Sequence, residues 1–201
     1  MIISHKHKFI YFKAQKVAGT STEILLDTFC GKDDIVTPIT PGDSDVHCPR
    51  NFGVFRNHVS SITVKNHIGA DIFNSYYKFM NIRNPWERVI SFYFFHKRKM
   101  PPFDEWVKQK NSLTVLHPLE YWSHIGNELI LDNYIRYDKL EDDTKTVLKK
   151  IGIQYGEINY PRAKTGLRPH KKHYGEYYNE ETRELVRKKY IKDIENFGYD
   201  F

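Results

Sequence analysis

Polar groups near the start of the chain have the types and spacing needed to bind an anion. In the stretch KAQKVAGTSTEILL (13–26), they follow the apolar run FIYF and precede a helical pattern. A strand that runs through a loop into a helix presents backbone N–H groups at the positive end of the helix. Lys16 adds a charge, Gly19 lets an anion approach the backbone, and Thr20 and Ser21 offer hydroxyl donors. The stretch predicts a phosphate site, although a junction with glycine and threonine is also common as ordinary helix capping.

The loop differs from the common nucleotide-triphosphate loop. That motif reads G-x-x-x-x-G-K-[ST], whereas here the lysine precedes the glycine. The chain also has no obvious acidic strand end that would hold magnesium. Both features argue against an ATPase or a kinase.

A second segment, NIRNPWERVISFY, carries an arginine at the end of a predicted strand over 78–82. Arg83 would lie where open α/β sheets bind ligands, and arginine makes bidentate contacts with phosphate. Ser91 follows eight residues later, two turns into a helix that Asn84 caps, with Glu87 at the capping-box position. The alternative is an ordinary capped helix with a surface arginine and serine.

The hydrophobic pattern alternates between strands and helices, without a repeat or a linker. Strands are predicted at 8–13, 61–64, 78–82 and 132–137. Helices are predicted at 20–30, from 85 onward, and at 104–110, 118–124, 138–150 and 179–191. Residues 35–57 and the basic stretch 156–175 are predicted to be irregular loops. The pattern predicts a single α/β domain over 1–201, P-loop-like and three-layered, with helices flanking a mainly parallel central sheet.

Composition narrows the class of protein further. The chain has 201 residues, of which 40% are hydrophobic, so it can bury a core and is not disordered. Its net charge of +6 favours an anionic partner, although no RNA- or DNA-binding motif is present. No apolar run approaches the ~20 residues of a membrane span, and the start lacks a signal-peptide layout, so a soluble cytoplasmic protein is expected. Cys30 and Cys48 form no CxxC motif and are expected to be free thiols.

Taken together, the two segments resemble the PAPS-dependent sulfotransferases, in particular the Golgi-type carbohydrate sulfotransferases and their microbial relatives. KVAGTS is similar to that family's 5′-phosphosulfate loop K-x-x-G-T-S, and IRNPWERVISFY is similar to its 3′-phosphate motif R-[DN]-P-x-x-R-x-x-S-x-Y. NYIRYDKLEDD and the carboxyl-terminal YYNEETRELVRKKYIKDIENFGYDF also resemble segments of the family. The resemblance covers most of the chain, in order.

The resemblance implies a donor, 3′-phosphoadenosine 5′-phosphosulfate (PAPS), with 3′,5′-ADP as the product and no metal ion. It assigns the 5′-phosphate to Lys16, Val17, Ala18, Gly19, Thr20 and Ser21. Lys16 would also act catalytically at the bridging oxygen, where negative charge develops. Arg83 and Ser91 would hold the 3′-phosphate. Lys164 and Arg168, in the stretch RAKTGLR (162–168), would help to close over the nucleotide.

The acceptor hydroxyl must lose a proton, and His67 in VKNHIGADIF is the preferred catalytic base. Several carbohydrate sulfotransferases place a histidine between the two cofactor motifs, in a segment similar to G-H-x-P-F. This chain departs from that pattern on both sides of His67. His58 in FRNHVSS is the rival, and Glu23, which would correspond to a glutamate base in other relatives, lies inside a predicted helix. His67 as a purely structural histidine is the remaining alternative.

The acceptor itself is expected to be a glycan or glycoside. The stretches 35–57 and 96–127 would form the acceptor side, where Trp106, Tyr121 and Trp122 would stack on sugars or pack in the core. No specific nucleic acid and no membrane partner is expected, and the oligomeric state is open. Because little precedes the first strand, a microbial or viral form without the Golgi anchor is expected, rather than an excised domain from the Golgi lumen. The other functional classes are a non-catalytic binder of polyanions and, less well supported, a phosphoryl transferase.

Overall fold

The computed structural model describes residues 1–39, 47–96, 100–161 and 172–201. The chain divides into two compact units, each built from two separate stretches. The first unit comprises Met1–Ile82 and Tyr121–Ala163, and the second comprises Arg83–Glu120 and Lys164–Phe201. The expectation of a single domain over 1–201 stays a prediction.

The first unit contains a five-stranded sheet of order β3-β1-β2-β4-β7 and a two-stranded hairpin. The strands are β1 (Ile2–Ser4), β2 (Phe9–Phe12), β3 (Ile35–Val36), β4 (Tyr77–Ile82), β5 (His124–Ile125), β6 (Glu128–Leu129) and β7 (Asn133–Arg136). Strands β2, β4 and β7 run parallel, whereas β1 is antiparallel to both of its neighbours. The predicted α/β fold with a helix-flanked central sheet is confirmed. The sheet is mixed, and its parallel part consists of β2, β4 and β7.

The helices are α1 (Gly19–Asp27), α2 (Ser61–Ile68), α3 (Ala70–Ser75), α4 (Pro85–His96), α5 (Phe103–Lys108), α6 (Glu120–Ser123), α7 (Leu140–Lys150), α8 (Glu180–Lys189) and α9 (Ile191–Phe197). Short 3-10 helices lie at Ser112–Val115, Tyr137–Lys139 and Tyr174–Tyr177. Across the described ranges, no helix combines the length and the apolar character that crossing a membrane requires.

Helices cover both faces of the sheet because successive side chains of a strand point to opposite faces. On one face, Phe9 joins a buried cluster with Leu26 of α1 and Leu148 of α7. On the other face, the ring of Phe12 lies 6.3 Å from that of Phe73 in α3. Full burial of each such side chain stabilises the fold by roughly 1.5–3 kcal/mol, so this layering fixes the strand ends that carry the site.

The second unit is organised around α4. Its predicted core positions are all buried, namely Trp86, Val89, Ile90, Tyr93 and Phe94. Asn84 caps the helix as predicted, since its Oδ1 accepts a hydrogen bond from the Trp86 N–H at 3.0 Å. The helix therefore begins at Pro85, two residues after Arg83.

Two predicted elements are wrong in detail. The strand predicted at 61–64 is the start of α2, because Ser60 Oγ accepts from the Thr63 N–H at 3.3 Å and so caps a helix. The stretch 35–57, predicted to be irregular, contains β3 and a bridge between Val36 and Arg50.

The last predicted helix, 179–191, is also different. It is two helices, α8 and α9, and α9 continues to Phe197. The chain leaves helical geometry at Tyr190, with φ −115 and ψ 26. The buried hydroxyl of Tyr190 donates to the Leu116 carbonyl at 2.9 Å, so a contact distant in sequence accompanies the break.

Candidate active site

The loop between β2 and α1 has the backbone geometry of an anion cradle. Lys16 and Ala18 have positive φ values of 61 and 64, whereas Val17 between them does not. In known phosphate-binding loops, residues that alternate between left- and right-handed conformations form a concave surface of N–H groups, and a positive φ at every second residue is one feature of that pattern. The first turn of α1 contains no acidic residue that would repel an anion. The loop therefore offers N–H donors at the positive end of a nine-residue helix.

The side chains of the loop divide between the core and the surface. Val17 is fully buried, backbone included. Lys16 and Thr20 are half-buried, and Ser21 is buried. A Cβ added at Gly19 would lie 2.9 Å from Lys13 Cγ, so glycine is required there by close packing within the protein. This reason differs from the predicted one, which was close approach of a ligand.

Lys13, the first lysine of the stretch, is part of the core. It is 2% exposed, and its ammonium forms an ion pair with the fully buried carboxylate of Glu23. Glu23 also accepts from the Met1 amino group and from Thr37 Oγ1. Burial by itself raises the pKa of Glu23, but the Met1 and Lys13 ammonium groups outweigh it and hold that pKa below its usual value. Glu23 is thus a buried counter-ion of Lys13, whereas Lys16 is half-buried and is the more accessible lysine of the stretch.

His58 lies against this loop. Its Nδ1–H donates to the Lys13 carbonyl at 2.8 Å, so Nε2 carries the lone pair. The carbonyl of His58 accepts from Trp122 Nε1–H at 3.2 Å and helps to hold its left-handed backbone, φ 64. Burial lowers the pKa of His58 to about 4, so the ring is neutral near pH 7. A neutral imidazole with an unprotonated Nε2 can accept a proton.

His67 has a different setting. It is exposed near the end of α2, and its Nδ1–H donates to the Thr63 carbonyl one turn earlier at 2.7 Å. Its ring packs on Phe55, with the centroids 5.6 Å apart. His67 therefore contacts its own helix and Phe55, whereas His58 contacts the Lys13 carbonyl at the start of the loop.

In the second unit, Arg83 and Ser91 lie on one side of the start of α4. Arg83 is 9% exposed, and its Nη2 donates to Glu87 Oε1 at 2.9 Å. Glu87 and Ser91 are half-buried positions one helical turn apart, within a run of buried residues. Glu87, predicted to be a capping residue, therefore orients the Arg83 guanidinium through an ion pair.

The second arginine of this segment has another role. Arg88 is fully buried, pairs with the buried Asp193 at 3.4 Å and donates to the His117 carbonyl at 2.6 Å. Asp193 in turn accepts from the Leu119 N–H at 2.8 Å. Arg88 thus connects three stretches of the second unit, a role that spacing alone did not reveal.

The remaining predicted residues are placed as follows. Lys164 and Arg168, with the rest of the stretch 162–168, lie outside the described residues. Trp106 and Trp122 are 4% and 0% exposed, so they pack in the core, whereas Tyr121 is 41% exposed. A sugar-stacking role for the two tryptophans is therefore wrong.

The cysteines and the potential metal ligands add two observations. Cys30 and Cys48 are free thiols, as expected. Within the described ranges, no group of three His, Cys, Asp or Glu side chains could hold a metal ion.

Comparison with known proteins gives the family. A profile of the sulfotransferase family matches residues 1–200. The chain belongs to the sulfotransferase family. No solved structure matched it.

Three relatives were found among curated proteins. Carbohydrate sulfotransferase 10 of Xenopus laevis is 24% identical over 247 aligned residues, which cover 99% of this chain and 67% of the relative. Carbohydrate sulfotransferase 10 of Danio rerio is 28% identical over 78% of this chain and 41% of its own length. An uncharacterized protein of Archaeoglobus fulgidus is 33% identical over 45% of this chain and 79% of its own length. The chain thus spans about two thirds of the frog relative and less than half of the zebrafish one.

Proposed function

We propose that this sulfotransferase uses PAPS as its donor and transfers the sulfuryl group to a hydroxyl of a carbohydrate. The observation that carries the proposal is the loop between β2 and α1, a cradle of N–H groups in a chain that matches the family over residues 1–200. PAPS, when bound, supplies the sulfuryl group that is transferred.

The donor set of the loop fits a 5′-phosphate group. The positive φ values at Lys16 and Ala18, on either side of Val17, support a surface of backbone donors, and the N-terminus of α1 adds a positive potential. Thr20 adds a hydroxyl at the second helical position, and Lys16 adds a full charge. We propose that Lys16 stabilises the negative charge that grows on the departing oxygen, which a preorganised charge can do without reorganisation.

The 3′-phosphate is proposed to bind Arg83 and Ser91. The family resemblance of the segment 82–93 supports this assignment. The Arg83–Glu87 pair at 2.9 Å supports it further, because it holds the guanidinium in one orientation. Val17, Ala18, Gly19 and Ser21 stay proposed as part of the 5′-phosphate loop, and Lys164 and Arg168 as nucleotide contacts.

We propose His58 as the base in place of His67. His58 Nδ1–H is fixed on the Lys13 carbonyl, three residues before Lys16, which leaves Nε2 to accept the proton of the acceptor hydroxyl. His67 donates to Thr63 within its own helix. The two histidines can be compared directly, because a base acts on turnover and has little effect on nucleotide binding.

The carbohydrate acceptor rests on the relatives, two of which are named carbohydrate sulfotransferases. Tyr121, which is 41% exposed, is the proposed sugar contact, in contrast to the buried Trp106 and Trp122.

The cofactor assignment is tested by thermal denaturation with 3′,5′-ADP, 5′-ADP and ATP, each without magnesium. A ligand that binds only the folded state raises the melting temperature by mass action. We expect 3′,5′-ADP to stabilise the protein selectively, and Arg83→Ala to remove the preference for the 3′-phosphorylated nucleotide. Stabilisation by none of the three would contradict the proposal and favour a binder of polyanions.

The base is tested by turnover with PAPS in two matched variants, His58→Ala and His67→Ala. We expect the first to lose nearly all turnover while 3′,5′-ADP binding persists, and the second to keep most of it. The reverse result would return the role to His67.

A further inference from the structure

We propose that Asn81 is a positioning residue for the 5′-phosphate loop. Its buried amide holds the peptide between Val17 and Ala18 so that the Ala18 N–H points out of the protein interior. This inference rests on the proposed function, because it assigns that outward N–H to the 5′-phosphate of the nucleotide.

The contacts of Asn81 support this role. Asn81 is fully buried near the carboxyl end of β4, where its Nδ2 donates to the Val17 carbonyl at 3.1 Å and to Thr22 Oγ1 at 2.7 Å. Its Oδ1 accepts from the Tyr11 hydroxyl at 3.2 Å. Both amide hydrogens and the amide oxygen are therefore engaged, and one of these bonds ends on the backbone of the loop.

The direction of the Ala18 N–H follows from peptide geometry. A trans peptide is planar, and its C=O and N–H point in opposite directions. Because the Val17 carbonyl is turned toward the buried Asn81, the Ala18 N–H is turned away from it. Ala18 itself is left-handed, with φ 64 and ψ 19, a conformation that a residue with a Cβ adopts only when its surroundings hold it.

Thr22 provides the second attachment. Its backbone N–H and its Oγ1 reach the Ala18 carbonyl at 3.2 and 3.4 Å. The Tyr160 hydroxyl lies 2.9 Å from Thr22 Oγ1 and 3.0 Å from Thr144 Oγ1. Asn81 and Tyr160 thus fix the Thr22 side chain from two directions, and the carbonyls on both sides of the Ala18 N–H face inward.

A purely structural role for this network would make a different prediction. Loss of a buried hydrogen bond lowers stability whatever the ligand. Loss of loop geometry lowers only the part of nucleotide affinity that the 5′-phosphate supplies. The contribution of the 5′-phosphate is measured by the ratio of the affinities for 3′,5′-ADP and adenosine 3′-monophosphate, because these two nucleotides differ only in the 5′-phosphate.

The experiment measures this affinity ratio by calorimetry or by competition in the wild type and in three variants. Asn81→Leu removes all three bonds and keeps the branching of the side chain at Cγ, with a larger volume. Thr22→Val removes the Oγ1 bonds to Asn81 and to the Ala18 carbonyl and keeps the bond of its backbone N–H. Thr144→Val is the matched control. It also loses a hydrogen bond to Tyr160, but the bond of Thr144 to Tyr160 does not involve the loop. All titrations are run well below the melting temperature of each variant.

We expect the affinity ratio to fall about tenfold in Asn81→Leu and several-fold in Thr22→Val, as the loss of charge-assisted hydrogen bonds would give. Thr144→Val should keep the wild-type ratio. An unchanged ratio in Asn81→Leu, or in Thr22→Val if the first variant does not fold, would overturn the inference. A wild-type ratio near one would overturn the 5′-phosphate assignment itself, and the inference with it.

Discussion

Replacement of Gly19 by alanine tests how tightly the first turn of α1 packs on the chain that precedes it. The added Cβ would lie 2.9 Å from Lys13 Cγ and 3.4 Å from both the Ala14 carbonyl oxygen and the Tyr11 hydroxyl. Lys13 cannot simply swing aside, because its ammonium is buried in an ion pair with Glu23. The backbone of the loop must therefore shift.

The expected magnitude follows from two opposing effects. Overpacking of a tight site costs about 1–3 kcal/mol. Alanine is favoured over glycine by at most about 1 kcal/mol in a helix, and less at its first position. The net expectation is a loss of about 1–2 kcal/mol, which for a protein of this size lowers the melting temperature by about 2–8 °C. Because the shift falls on the loop, affinity for 3′,5′-ADP should fall as well.

The assay combines thermal denaturation with nucleotide titration, and Gly156→Ala is the control. Among the described residues, no heavy atom lies within 4 Å of a Cβ added at Gly156, and its φ is not left-handed. The control should match the wild type in stability and in affinity. A Gly19→Ala protein that is as stable as the wild type and binds 3′,5′-ADP equally well would refute the packing argument.

Three further predictions concern buried ionisable residues. Glu23→Gln should cost about 3–5 kcal/mol in a denaturant titration, because it leaves the Lys13 ammonium buried without a counter-ion; a loss below 1 kcal/mol would contradict this. The pKa of His58 is near 4 in the folded protein and about 6.5 in the unfolded chain, so protonation favours the unfolded state. The contribution of His58 to stability is therefore complete above pH 6.5 and falls by about 2 kcal/mol on going to pH 5. Over that interval, His58→Gln should lose less stability than the wild type. Arg88→Met should unfold far more readily than the wild type, since it leaves Asp193 buried without its partner, and an unchanged melting temperature would contradict the structural role.

The parts of the fold that were predictable from sequence are those with local signals. Strands β2 and β4 are dense in apolar residues, and α4 combines a capping asparagine with apolar positions at helical spacing, so each needs only its own residues to be recognised. The start of α2 was wrongly predicted to be a strand because Ile62, Thr63 and Val64 favour a strand, while the Ser60 cap favours a helix. The break at Tyr190 is accompanied by a hydrogen bond to the distant Leu116 carbonyl, which no local pattern contains.

The candidate site divides in the same way. The anion-binding stretch 16–21 could be recognised from the sequence because its residues are contiguous, but the residues that hold it in place could not. Asn81 and Glu23 are polar residues whose partners lie elsewhere in the chain, and only the fold brings those partners together. His58 and His67 look alike in sequence, and they differ through the contact of His58 with the Lys13 carbonyl.

The most direct test of the account is transfer of labelled sulfate from PAPS to a panel of glycans, by the wild type and by Lys16→Ala. We expect label in at least one glycan with the wild type, and a rate lower by about 10²–10³ in the variant, because one preorganised charge contact is worth that much. The variant should remain folded, since Lys16 is only half-buried. Absence of transfer by a wild type that binds 3′,5′-ADP, or an unchanged rate in Lys16→Ala, would contradict the account.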